Sequence, residues 1–510
     1  MRAQRAPRTT LFDHLGRPMA STGYITSGSS RRSMTGFNPS ANSADTDIIP
    51  KLESLRACCR DMSMNAPVAT GALNRFKTNV VGYGLTLQCQ IDHEYLGLSV
   101  EEAEAWEKST EREFRLWANN QECDASRTDD FYGLQALTYL SILESGDVFV
   151  IPVFIPRRGV PYDLRLRILE ADMVSNPSHS MDTDKLAGGV EVDENGAPVK
   201  YWVSKRHPGG LGFVGNEWVG IPAYSPRTGM RQVLHIFDRT RPGQRRGVPL
   251  LAPVIETLKQ ATRLTEAELM AAVVSSFFTV FVKTEAGEGL DQGFSTEESV
   301  VKNLPEPVAR NLQEVGSGGI IDLADGESIE LADPKRPNSG YDAFFLSMVK
   351  QIGSAIGMPF EVLILHFASS YSASRAALLE AWKVFLTHRT KFVKRGFCQP
   401  VYKLWLLDAV LKGRVKAPGF LNNIAIREAW SGSQWIGQGQ GQLNPVVETK
   451  AAIMRIEGGL STYAKETAAI DGDDWDTMIE HNFRERDRIR ARVPQITKAA
   501  SSEPVAEGAV

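Results

Sequence analysis

The side chains that carry most enzyme chemistry are present in this chain, but not at the spacings that chemistry needs. No G-x-x-x-x-G-K-[ST] occurs, so no loop is built to cradle nucleotide phosphates as a P-loop motor does. Gly437, Gly439 and Gly441 miss the G-x-G-x-x-G spacing and follow no strand, which disfavours dinucleotide binding. Gly316-Ser317-Gly318-Gly319 lacks the strand and helix that make a nucleophile elbow. There is no HExxH. The eight histidines are scattered, and His207, His235, His366 and His388 each read as surface or satisfied core residues. Carboxylate neighbours such as Glu101 and Glu102 fall on a solvated helix face, not in an acid/base setting. The five cysteines (Cys58, Cys59, Cys89, Cys123 and Cys398) contain no CxxC pair, which argues against a zinc site and a disulfide framework. The expectation is no catalytic residue, no metal, no cofactor and no enzymatic turnover.

Bulk composition is that of a soluble globular protein. The chain has 510 residues, 42% hydrophobic and 23% charged, enough for about three globular modules. A net charge of −4 lacks the surplus of Lys and Arg with which proteins grip nucleic acid, though it suits one that lets it slide past. No apolar run reaches the ~18 residues of a membrane span, and Met1-Arg2-Ala3-Gln4-Arg5 is followed by no apolar signal segment. The expected site of synthesis is a reducing cytoplasm.

The elements that must position any functional group follow from periodicity. Residues 1–45, rich in Ser, Thr, Gly and Arg, read as a flexible, mildly basic arm, either a plain terminus or a tether to a neighbouring chain or to DNA. Helical spacing starts near Ile48 with Leu52, Leu55, Arg56, Cys59 and Met62, and Pro67 opens a second helix. A strand from Leu85 follows, then a helix from Ser99 to Trp117 with Ser99 as N-cap, and another from Phe131 to Leu143. Strands at 147–155, 164–170, 201–203 and 233–237 complete a mixed α/β region with hairpins.

Leu250 to Val282 contains no glycine, and its only proline lies in the first turn, so about 33 residues predict a helical rod roughly 50 Å long. Its apolar second half (Leu269, Val273, Phe277) must pack on other helices, in a globular core or in an extended bundle or ring. Residues 284–333 hold twelve acidic residues against Lys302 and Arg310; a solvated face is the plain reading, and its place between two strong helices fits a docking surface. A helix from Tyr341 to Ile356 is stopped by Gly357-Met358-Pro359. The segment 360–374 ends in Ala368-Ser369-Ser370-Tyr371-Ser372-Ala373-Ser374, and a long helix from Arg375 to Lys394 is capped by Ser372 or Ser374. Helices at 400–411, 446–457 and about 474–492 precede a tail that reads as disordered.

An ordered series of stretches resembles the portal proteins of lambda-like tailed phages over about residues 45–480. They are Asn65–Leu73, Asn79–Gln88, Phe131–Leu137, Glu144–Val150, Glu170–Val174, Gly189–Asp193, Pro198–Val203, Arg241–Val254 and Tyr371–Trp382; Arg241-Pro-Gly-Gln-Arg-Arg-Gly-Val-Pro is the most distinctive. The resemblance implies an α+β, multidomain portal-type fold. Its parts would be an arm (1–45), an α/β wing (46–246), a first stem helix (247–283), an acidic clip (284–338), a second stem helix (339–358), a channel loop with a long helix (359–396), a wing return (397–439), a helical crown (440–492) and a disordered tail (493–510).

It also implies a homo-oligomeric ring, typically of twelve, at the capsid vertex of a virion assembled in a bacterial cytoplasm. Double-stranded DNA would pass through the ring in packaging and ejection. Terminase and head–tail completion or adaptor proteins would dock on it, within reach of major capsid and scaffolding proteins. On this reading His366, Ser369, Ser370, Tyr371, Ser372, Ser374 and Arg375 form the channel loop, which is otherwise an ordinary helix–helix connection. Leu258, Leu269, Val273 and Phe277 pack the stem between subunits, and Glu297, Glu298, Asp322 and Asp325 dock partners on the clip. The family often has an acidic residue where this chain has His366. A capsid or tail protein without a duplex-sized bore is the alternative.

Overall fold

The computed structural model describes residues 40–210, 217–276, 280–284, 327–331, 340–367, 370–442 and 444–500. Two helices open it, α1 (Ala44–Asn65) and α2 (Pro67–Val80), joined by a one-residue break before Pro67, whose missing N–H suits a helix start. The first begins four residues before Ile48, because the Ser43 side chain accepts from the Thr46 amide, and so absorbs the end of the expected arm. Strand β1 (Thr86–Cys89) leads to the short α3 (His93–Leu96) and to α4 (Val100–Ala118). The last carries a full capping box between Ser99 and Glu102.

Helix α5 (Phe131–Ser145) runs straight into β2 (Asp147–Phe154) through Gly146. Then come β3 (Leu164–Leu169), β4 (Leu186–Ala187), β5 (Val190–Val192), β6 (Pro198–Ser204), β7 (Trp218–Pro222) and β8 (Leu234–Phe237). They form two antiparallel sheets, ordered β3-β2-β8 and β4-β5-β6-β7. Separate antiparallel sheets among helices make an α+β architecture.

The expected 33-residue rod is shorter. After a 3-10 turn at Ala252–Val254, α6 spans Ile255–Ser276, and Val280–Thr284 is a strand, β9, paired antiparallel with β10 (Glu327–Leu331). Four of the five residues 280–284 are β-branched or aromatic, and a partner strand lets that preference win. Phe277, Glu297, Glu298, Asp322 and Asp325 lie outside the described residues.

Helix α7 (Tyr341–Ile356) packs on α6, with the Tyr341 hydroxyl bonded to the Thr265 hydroxyl at 3.1 Å. Helix α8 (Phe360–Ile364) and α9 (Tyr371–Lys391) follow, then a π-helical turn at Phe392–Gly396 and α10 (Cys398–Leu411). After α11 (Ile424–Trp430), strand β11 (Ser433–Ile436) returns to pair with β1, Thr86 opposite Ile436. Three helices end the described chain: α12 (Pro445–Glu457), α13 (Tyr463–Ile470) and α14 (Trp475–Ala500). The tail expected to be disordered from 493 is therefore helical as far as Ala500. Residues 501–510 lie outside the description.

One apolar core joins α2, α4, α5, α9 and α10. Phe114 sits in it 5.0 Å from the Trp405 ring and 5.6 Å from that of Phe131, both edge-on. A smaller core of Phe149, Val190, Tyr201, Val203 and Val233 lies between the two wing sheets.

Candidate functional site: a capped helix and the joint that seats its neighbours

The segment to which the resemblance assigns the channel loop is a turn between α8 and α9. Leu365 ends α8 in the left-handed region (φ 57°), and Ser370 caps α9 by accepting from the Ala373 amide at 3.4 Å. The expected caps, Ser372 and Ser374, are instead the second and fourth residues of the helix; the Ser374 amide bonds back to the Ser370 carbonyl at 2.9 Å. Tyr371, Ser372, Ser374 and Arg375 therefore belong to a helix and not to a loop, and Ser369 lies outside the described residues. His366 and Ser372 are exposed, as are the side chains of Phe367 and Tyr371.

Arg375, the cation expected to meet a ligand, is already engaged. Its Nη1 reaches Glu448 of α12 at 2.5 Å and the Tyr371 hydroxyl at 3.4 Å, which holds its pKa above the ordinary guanidinium value. The pair bridges α9 to the C-terminal helices beside a 220 Å³ cavity lined by Asn79, Trp382, Phe385 and Gln440.

The far end of α9 is fixed. Arg389 donates to the Val80 and Asn79 carbonyls at 2.8 and 2.7 Å and to Gln438 at 3.0 Å. His388 lies 5.2 Å from the Phe76 ring and 3.2 Å from the Tyr139 hydroxyl; burial pulls its pKa down, so the ring is held neutral.

A second cluster seats α6. Asp147, fully buried, accepts from Arg56 (2.7 Å), Arg246 (2.6 and 3.2 Å) and the Gly247 amide (3.1 Å), with His235 Nε2 at 3.2 Å. Burial by itself would raise its pKa; the two guanidiniums reverse that and hold the carboxyl far below the usual range. Burial lowers Arg56 to about 9 and also lowers His235. Arg246 and Gly247 belong to the most distinctive sequence stretch, 241–249. It lies between β8 and α6 and is tied to α1 by Arg241–Asp47 and Arg245–Asp45 pairs, both 2.7 Å.

Gly247 has no alternative, since a Cβ there would stand 2.0 Å from the Gly146 carbonyl oxygen. Of this joint, the sequence offered Arg56 only as a helical-period residue and His235 only as a surface or satisfied core histidine. Its signal was the Arg-Arg-Gly stretch itself.

The stem-packing residues divide. Leu258 is buried in the chain's own core and is not available to a neighbour, which corrects its expected role. Leu269 and Val273 are exposed on the outer half of α6. Four of the five cysteines are buried, and burial raises Cys59 to about 12, so these are inert thiols. Sequence spacing did not single out Glu170, Asp172 and His207 as a group, yet their ligand atoms lie within 4.8 Å of one another. Arg60 contacts both carboxylates, so a guanidinium occupies the place a metal cation would take.

With this architecture in place, residues 30–389 match the family described as "Phage portal protein, lambda family". The chain belongs to the lambda family of phage portal proteins. Portal protein B of Escherichia phage lambda is 26% identical over 473 residues, covering 90% of this chain and 88% of that protein. The portal protein of Escherichia phage N15 matches to the same extent, and a probable portal protein of Halomonas phage phiHAP-1 is 24% identical over 479 residues. Among solved structures, a chain of the native gene transfer agent virion aligns with a TM-score of 0.43 at 14% identity, covering 81% of this chain and 92% of its own. An HK97-family phage portal protein from Corynebacterium diphtheriae aligns at 0.30 and 12% identity, covering 71% and 92%. No described helix is long and apolar enough to cross a membrane.

Proposed function

We propose that copies of this chain close into a ring at the capsid vertex, with twelve as the number its family resemblance implies, and that duplex DNA enters and leaves the head through the bore. The observation that carries the reading is a stripe of large apolar side chains left outward by α6 and α7. Leu269 is 64% exposed, Met270 61% and Phe344 59%, although the inner end of α6 is buried to 1% at Leu258. Such surface is stabilised by a neighbouring subunit and costs solubility without one. Around a closed ring every copy buries the stripe and none is left over.

The turn before α9 is the segment offered to DNA. With Arg375 held by Glu448, the exposed residues of this turn and of the start of α9, His366, Tyr371 and Ser372 among them, include no further lysine or arginine among the described residues, so a passing duplex meets few fixed cations. Each phosphate neutralised would add salt-dependent drag. On this reading the chain is a conduit and docking hub. The terminase large subunit supplies ATP-driven force, the acidic stretch 284–338 docks it and later the head–tail completion proteins, and capsid and scaffolding proteins surround the ring. Light scattering on the purified full chain tests assembly. A discrete closed oligomer that Leu269→Asp reduces to monomer is expected; a monomeric wild type would overturn the reading.

A further inference from the structure

Strand β8 ends its sheet: it pairs with β2 on one side, and no other described strand pairs with it on the other. That outer edge borders a cavity of about 550 Å³. The cavity is lined by His235, Ile236, Phe237, Asp238 and Arg239 in succession. Successive residues point to opposite faces of a sheet, so a space touched by all of them lies along the strand's edge and not over one face. Its opposite wall is formed by α5, the end of α9 and the π-helical turn, with Tyr139 and Phe392 giving it an apolar, aromatic side. It adjoins two further cavities, of about 740 and 520 Å³, which share Arg231 with it.

The trough is cationic. Arg231, Arg239 and Arg395 line it, and none is paired with a carboxylate among the described residues: Arg231 lies over the Tyr224 ring, and Arg239 donates to a backbone carbonyl. Lys391 is already held by Asp238 at 2.8 Å. A strand edge with no described partner strand, beside an aromatic wall and three guanidiniums that meet no carboxylate among the described residues, matches one kind of occupant. It would be an extended chain that supplies its own N–H and C=O groups and carries alternating acidic and apolar side chains.

We propose that the outer edge of β8 (Leu234–Phe237) is a strand-addition site for an extended acidic segment of another protein. Its backbone pairs with the edge over about 14 Å. Its carboxylates meet Arg231, Arg239 and Arg395, and its apolar residues lie against Tyr139 and Phe392. The chain's own leading 39 residues are a poor occupant, since they carry six arginines against the single acid Asp13. Duplex DNA would satisfy the guanidiniums but has no peptide groups to complete the strand edge.

The test is fluorescence anisotropy of the full chain, as monomer and as assembled oligomer, with a labelled peptide acetyl-Asp-Val-Glu-Val-Asp-Val-Glu-amide. Saturable binding to both forms is expected. The same peptide N-methylated at alternate residues keeps its charge, loses its edge donors and should bind at least about tenfold more weakly. Arg231→Glu with Arg395→Glu should weaken the parent peptide by a similar factor, provided the melting temperature is unchanged; the N-methylated peptide on wild-type protein serves if it is not. Equal affinity for the N-methylated peptide would overturn the proposal by reducing it to charge attraction. So would displacement by a short DNA duplex at equal concentration, which would make the trough a nucleic-acid surface. Binding to monomer but not to the oligomer would assign the edge to a second copy of this chain. No binding at all would leave the arginines as guards of an exposed edge.

Discussion

Arg246 grips Asp147 with two bonds, Nε to Oδ2 at 2.6 Å and Nη2 to Oδ1 at 3.2 Å, and it spends the rest of its donors nearby. Nη1 donates to Val174 and Gly188, and Nη2 also to Ala171. Five N–H groups thus tie the root of α6 to both wing sheets, in a geometry lysine cannot reproduce. Arg246→Lys should cost about 3 kcal/mol, the scale of breaking a buried ion pair, read as a fall in the urea midpoint at constant slope. A change below about 1 kcal/mol would mean the joint is less constrained than its bonds imply.

Gly146 and Gly247 meet backbone to backbone. Gly247→Ala puts a methyl group 2.0 Å from a carbonyl oxygen, and neither wall is a flexible side chain. The expected result is a protein that is insoluble or melts many degrees lower, whereas Gly243→Ala meets no atom within 4 Å and pays only for its positive φ of 79°. Equal melting temperatures for the two variants would contradict the close approach.

Arg375 and Glu448 are partly exposed, so water screens their pair and it adds little to global stability. Its effect should be local. Glu448→Gln is expected to speed amide hydrogen exchange in α12 and to leave the melting temperature nearly unchanged. If Arg375 acts through this pair, Arg375→Gln and Glu448→Gln will give the same packaging phenotype; a defect confined to the arginine variant would return Arg375 to DNA contact.

His235 and His388 are held neutral, with pKa values lowered by burial from an ordinary 6.5. Below that value the unfolded chain takes up protons that the folded chain refuses. Stability therefore falls as pH falls below about 6.5, by at most about 1.4 kcal/mol per pH unit for each ring. Urea midpoints at pH 7.5 and 5.5 test this, and His388→Gln should shallow the slope. A flat profile across that range would show that neither ring is kept neutral.

Much of the helical scaffold was legible because local rules governed it: the Ser99–Glu102 capping box, the Pro67 start and the Gly357 stop each depend on residues a few positions apart. The α8–α9 turn was not. Ser370, Ser372 and Ser374 offer the same hydroxyl two residues apart, and the choice among them depends on where Leu365 ends the preceding helix. Strand β9 was hidden in an apolar run without period, since its pairing depends on residues 327–331. The α6 joint was least legible. In sequence Arg56 is only a member of a helical period and Arg246 only part of a basic stretch, and their partner Asp147 lies 91 and 99 residues away. Family resemblance flagged the 241–249 stretch; physical reading of the sequence alone did not explain it.

The central claim is a DNA-passing ring, and cryo-electron microscopy of the purified full-length protein tests it most directly. The account predicts closed rings with an axial hole, α6 and α7 packed between subunits through Leu269, Met270 and Phe344, and the turn at 365–372 on the bore. Shells or tubes without an axial hole, or rings whose 365–372 turn faces outward, would contradict it.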